Sequence, residues 1–470
     1  PYTVYYPESE SDEIAFMTTG KYGGIGSLIR GGGEYVVISL VYKGFPADLA
    51  GVRAGDLIKK VDGFALKGAD TETVSQKLKG NPGTTVMLTI ERNGKEMEIP
   101  VKREKIEIPS VPYYGMIDNE TGYIRFTNFT QNCIAEVREA LIDLKDKQGA
   151  EDLILDLRSN PGGLVNEAVE IVNLFVMPGQ EVVSTRGRAK QYDAVFRTNR
   201  TPVAPDMPVV VLINRGSASA SEIVAGALQD LDRGVIVGER SYGKGLVQVA
   251  RPLSYKAQVK MTTAKYYIPS GRCIQAVDFS NRNEDGSVGT IPDSLIKTFS
   301  TRSGRPVKDG GGIIPDVTVP SDMLNRFATE LYMQNMIFDF ATQYYWSNPR
   351  PPVLDSLKIT ENDLDQFTNF LAEKKFSYRT DSESILEELT KTAREEGLYD
   401  SNREAMEKLK SGLSHTLERE MTLYRTDVTE LIESELAGRY FYDWGMVEYS
   451  VTRDNQIKKA IEIAGNREQY

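Results

Sequence analysis

Three short apolar runs, DLILDL, PVVVLIN and RGVIVG, constrain this chain more than any other feature. Strands that lack polar alternation suit a parallel sheet covered on both faces. Helical stretches lie between them. CIAEVREALIDLKDKQ puts Ile134, Val137, Leu141 and Leu144 on one side, and VNEAVEIVNLFV reads as the next helix. Strand and helix alternate in this way from 113 to about 275, which predicts an α/β unit with parallel strands.

A chain of 470 residues is too long for one core, so further units are expected. Residues 20–105 read as a β-rich module: EYVVISLVY is a strand, Val74 and Leu78 share a helical face, and a hairpin turns at Asn93-Gly94. The α/β core would then occupy 106–320. Within it, 276–312 has no periodicity and is rich in Gly, Ser, Asn and Asp, as a long surface excursion would be. From 321 to 470 the spacing is helical. Ile385, Leu386, Leu389 and Ala393 share a face, as do Leu409, Leu413 and Leu417, and Val428, Leu431, Ile432 and Leu436. Residues 1–19 open on PYTVYYPESE, with neither a methionine nor a cap, which reads as a truncated N-terminal segment.

GSASASEIVAGALQD, 216–230, carries three serines on alternate positions between an apolar strand and a helix. A serine on such a turn is exposed beside free backbone N–H groups that suit an oxyanion. Ser217, Ser219 and Ser221 all fit crudely; Ser221 before Glu222 is the natural cap, and Ser217 lies near the strand end. A serine needs a base, and the chain has a single histidine, His415, in a polar stretch far along the sequence. That removes most histidine-based catalysis and most zinc sites. Lys244, between glycines in SYGKGLVQ, is the candidate base if burial keeps its amine neutral.

YGGIGSLI followed by PADLAGVRAGDLIKKVDG resembles a PDZ domain, with Gly23, Gly24, Ile25 and Gly26 as the carboxylate-binding loop. With DLRSNPGG, GSASASEIVAGALQD, GERSYGKGLVQ and TTAKYYIPSGRCIQ after it, the chain resembles the carboxyl-terminal processing, or tail-specific, proteases over roughly 1–320. The resemblance implies an α/β, crotonase/Clp-protease-like ββα core with an inserted β-rich PDZ domain and a C-terminal helical region. It also implies Ser219 as nucleophile, Lys244 as general base and Gln248 as the residue orienting the lysine. The oxyanion hole would be the N–H of Ala220 with that of Gly162 or Gly163, a choice left open. Substrates would be proteins or peptides with free C-termini, captured and gated by the PDZ module.

No metal and no cofactor is expected. A net charge of −11 argues against nucleic acid. A homodimer and an adaptor protein stay open as partners, because the helical region exceeds the minimal family plan. An exported location, periplasmic or at the outer face of the inner membrane, is implied by resemblance, with the signal or anchor absent from this chain. Cys133 and Cys273 show no metal-ligand spacing, and a disulfide between them is not implied. Two rivals are weaker. An inactive PDZ scaffold predicts loss of Ser219 or Lys244, and a crotonase-like acyl-thioester enzyme explains neither Lys244 nor the PDZ module.

Overall fold

In the computed structural model the apolar runs become the middle of a six-stranded sheet. Its order is Tyr113–Met116, Thr121–Arg125, Asp152–Asp156, Val209–Ile213, Val235–Gly238, Val317–Thr318. The first pair is antiparallel and the rest are parallel. Asp152–Asp156 and Val209–Ile213 are buried along their whole length, which is why neither alternates. Helices Cys133–Ile142, Val165–Val172 and Ala220–Asp230 supply the apolar side chains of the same core. The structure describes residues 2–8, 16, 18–282, 285, 287–348, 350–351, 353–413, 416–466 and 470. His415 lies outside them.

Two compact units divide the chain: 1–24 with 104–322 and 450–470, and 25–103 with 323–449. The first unit holds a second sheet that strand–helix alternation did not anticipate. It is antiparallel, in the order Val4–Tyr6, Gln258–Tyr267, Glu181–Gly187, Ala194–Arg197, with Leu246–Pro252 also paired to Gln258–Tyr267. Its strands are only partly covered and carry lysine and threonine, so no continuous apolar run announces them. The 276–312 stretch is likewise not structureless. Val277–Arg282 pairs with Val288–Thr290, and Thr298–Ser300 pairs with Pro306–Lys308. Arg305 ties the second hairpin down through Asp232 at 2.8 Å and Asp316 at 2.7 Å.

Asp156, at the end of its strand, is fully buried and accepts from Tyr123, Arg125 and Arg158. Burial alone would raise its pKa, but the two guanidiniums hold the carboxyl well below the usual range. Arg158 also reaches Asp454 at 2.5 Å, the N-cap of the Asn455–Gly465 helix, which packs on the same sheet. Asp156→Ala takes the carboxylate from the partly buried Arg125, leaves Arg158 with Asp454 alone, and is expected to cost about 3–5 kcal/mol, read as a lowered urea midpoint. A depressed folded pKa means that this contribution is complete above about pH 4 and fades as pH falls, because the unfolded carboxyl protonates first. An unchanged midpoint for Asp156→Ala would contradict this.

In the second unit, Ser27–Gly32, Tyr35–Val41, Leu57–Val61, Thr85–Arg92 and Lys95–Lys102 form an antiparallel sheet. Asn93 and Gly94 both take positive φ at the expected hairpin turn, and Val74 and Leu78 of helix Thr71–Leu78 are buried. The helical region has its own core, in which Val428, Ile432 and Leu436 are fully buried. Leu386 and Ala393 are buried too, whereas Ile385, Leu389, Leu409 and Leu413 of the faces expected to pack stay exposed. Within this unit the Arg30 and Arg439 guanidiniums lie 3.5 and 4.3 Å from the ring centroid of Phe338.

Candidate active site

The Val209–Ile213 strand turns into the Ala220–Asp230 helix through the three serines. Ser217 Oγ donates to the Leu157 carbonyl at 2.8 Å and accepts from Asn214 N–H, so this serine shapes the turn. Ser221 Oγ donates to the Asn160 carbonyl at 2.9 Å from inside the first helical turn. Ser221 is therefore not the helix cap that its place before Glu222 suggested. Ser219 holds the N-cap position, with φ +55° and ψ −111°. A non-glycine residue persists there only when its surroundings over-determine it.

Glu222 is the main constraint, and the sequence reading gave it no role beyond the cap. The side chain is fully buried. One carboxylate oxygen accepts from Ser219 N–H at 2.8 Å and Lys244 N–H at 2.9 Å. The other accepts from Gly243 N–H at 2.7 Å and Ser241 Oγ at 2.5 Å. Ser241 Oγ in turn accepts from Ile313 N–H, so its own proton is free to go to the carboxylate. Burial raises the pKa of Glu222, and these donors oppose the rise. The S-x-x-E spacing from Ser219 to Glu222 is a capping-box signature and could have flagged the residue. Its contacts with the Ser241–Lys244 loop could not be read that way.

Lys244 follows Gly243, whose φ is +85°, and is partly buried. It lines a cavity of about 630 Å³ together with Ser219, Gln248, Gly162 and Gly163. Burial lowers its pKa, the charge of Lys260 lowers it further, and Glu222 opposes both. Its ammonium lies 5.3 Å from the ring centroid of Tyr2. Gln248 donates from Nε2 to the Leu246 carbonyl at 2.9 Å.

The NPGG turn closes against the serine turn. Gly162 has φ +92°, and a Cβ there would sit 2.5 Å from the Ala218 oxygen and 2.7 Å from Ala220 N. Its N–H donates to Asn160 Oδ1 at 2.9 Å. Among the described residues no hydrogen bond uses the N–H of Gly163 or Ala220.

The remaining predicted residues lie elsewhere. Gly23 and Gly24 belong to strand Lys21–Gly24, paired with Glu104–Glu107. Ile25 is buried in the core of its unit. Of the three loop glycines only Gly26 takes positive φ, +73°. Gly24 instead leaves room for the Tyr22 ring, 2.5 Å from where its Cβ would lie. Cys133 and Cys273 are both free, and Cys133 Sγ donates to Glu167. Among the described residues no helix is long and apolar enough to cross a membrane, and no group of three or more His, Cys, Asp or Glu could hold a metal.

Comparison with known proteins adds three domain matches: peptidase family S41 over 120–293, a PDZ domain over 37–92, and a "probable PDZ-protease, C-terminal helical domain" over 327–464. A carboxy-terminal-processing protease of Bartonella bacilliformis is 38% identical over 303 residues, 63% of this chain and 66% of that protein. A probable CtpA-like serine protease of Staphylococcus saprophyticus is 34% identical over 275 residues, 58% of this chain and 55% of that protein. The chain thus spans less than two thirds of the length of these curated relatives. A solved structure described as a photosystem II D1 C-terminal processing protease is 30% identical, with 68% of this chain and 78% of that chain covered and a TM-score of 0.39.

Proposed function

The chain belongs to peptidase family S41, with the carboxy-terminal-processing proteases, and on that premise we propose that it is a serine endopeptidase cutting protein chains near their C-termini. The observation that carries this reading is one cavity lined by both Ser219 and Lys244, with the backbone N–H of each held on one Glu222 oxygen. Ser219 Oγ attacks the peptide carbonyl as its proton passes to Lys244 Nζ. The unused N–H groups of Ala220 and Gly163 receive the oxyanion, since Gly162 spends its own on Asn160. Lys244 then protonates the leaving amine, and water hydrolyses the acyl-enzyme. With Nε2 on Leu246, Gln248 keeps Oε1 as the atom to accept from Lys244 and orient it.

The PDZ module captures the substrate's C-terminal segment. Among the described residues its Ser27–Gly32 strand pairs on one side only, with Tyr35–Val41, so an extended peptide has an edge to join. A peptide of about 30 residues is tested with a free and with an amidated C-terminus, the products being mapped by mass spectrometry. Ser219-dependent cleavage toward the C-terminal end is expected, slowed about tenfold by amidation. Indifference to amidation would remove the capture step, and absence of Ser219-dependent cleavage would remove the protease reading.

A further inference from the structure

The cavity at Ser219 has an unusual charge. In a chain with 67 acidic and 56 basic residues, the charged residues that line it among the described residues are Lys244 and Lys260, with no aspartate or glutamate among them. Glu222, the nearby acid, is occupied by four donors. Lys260 lies in Gln258–Tyr267, opposite Ala250 on one side and Val4 on the other, and is partly buried. Among the described residues no carboxylate forms an ion pair with it, although most of the chain's half-buried cations have one, as Lys59 has Glu91 and Arg125 has Asp156. A half-buried cation beside a second lysine is an unfavourable arrangement unless an anion arrives.

We propose that Lys260 is a specificity residue that receives a carboxylate of the bound substrate, so that the preferred substrates carry an acidic group close to the scissile bond. The proposal rests on the reading of Ser219 and Lys244 as the catalytic pair. The group is either an acidic side chain or the terminal carboxylate of the chain; both present the same two oxygens to an ammonium. Its arrival also fits the site's electrostatics. In the free enzyme Lys260 lines the same cavity and its charge favours a neutral Lys244, and the substrate anion compensates Lys260 itself. No bond is made or broken in this step.

The test uses peptides of one sequence, with Glu, Gln or Lys placed in turn at the three positions on each side of the cleaved bond. Each is made with a free and with an amidated terminus, and each is given to the wild type, Lys260→Met and Lys260→Glu. At one position the wild type is expected to cleave the Glu peptide about tenfold better in kcat/KM than the Gln peptide. Lys260→Met should abolish that ratio, and Lys260→Glu should turn it in favour of Lys. If the terminal carboxylate is the source, the Lys260-dependent ratio appears between free and amidated peptides instead. A free-terminus effect that survives Lys260→Met belongs to the PDZ module. Ratios are read because removing Lys260 also relieves its pressure on Lys244 and changes every peptide alike. Charge-indifferent cleavage by the wild type, or a preference unchanged in Lys260→Met, overturns the proposal while leaving the catalytic pair intact. Loss of cleavage of every peptide by the wild type overturns the pair and the proposal together.

Discussion

Ser219→Ala is expected to lower kcat/KM by about 10⁴-fold or more, Lys244→Ala by a similar factor, and the double variant by no more than either alone. The reason is that nucleophile and base act as one unit: without the amine the hydroxyl keeps its proton, and without the hydroxyl the amine has nothing to deprotonate. What remains is binding and the two backbone donors, which do not need either side chain. The pH profile carries the same logic. Lys244 acts as a base only when neutral, and burial together with Lys260 brings its pKa below the ordinary 10.5. Wild-type kcat/KM should therefore rise with pH along a limb whose apparent pKa is below that value. Losses that multiply in the double variant would show two independent contributions, and a limb at or above 10.5 would show that Lys244 is not the group titrating.

Glu222→Gln is expected to lower kcat by about 10²-fold or more with a smaller change in KM. The side chain keeps its size, so packing is retained, but the hydrogen-bond pattern cannot be. Both carboxylate oxygens face only donors: Ser219 and Lys244 N–H on one, Gly243 N–H and Ser241 Oγ on the other. An amide must turn its own N–H₂ toward one of these pairs, setting donor against donor in a fully buried site. Relief requires one of the two loops to shift, and either shift moves Ser219 relative to Lys244. Circular dichroism and the thermal midpoint separate this from unfolding. A folded Glu222→Gln enzyme with wild-type kcat would show that the carboxylate does not position the pair, and Glu222→Asp, too short for both loops, should not rescue it.

Much of this was legible from residue order. The helical face of Val74 and Leu78, the hairpin at Asn93-Gly94 and the buried strands Asp152–Asp156 and Val209–Ile213 follow from periodicity and turn chemistry that local sequence carries. The antiparallel sheet of Gln258–Tyr267 was not legible, because half-covered strands rich in Lys and Thr resemble polar connecting segments. Ile385 and Leu389 show the opposite failure: an apolar helical face is a statement about spacing, not about what comes to cover it.

By itself the sequence determined the doubly covered sheet and the small set of residue types that could react, since one histidine among 470 residues leaves little alternative to lysine as the base. Only the tertiary structure shows what each serine hydroxyl faces. Ser217 and Ser221 give their hydroxyls to the carbonyls of Leu157 and Asn160, sixty or so residues away, while Ser219 lines the cavity with Lys244. It also decided the work of Glu222, whose donors come from the serine turn and from the Ser241–Lys244 loop. Local spacing ranks candidates by propensity; the partners that consume one hydroxyl and expose another come from chain segments that only folding brings within 3 Å.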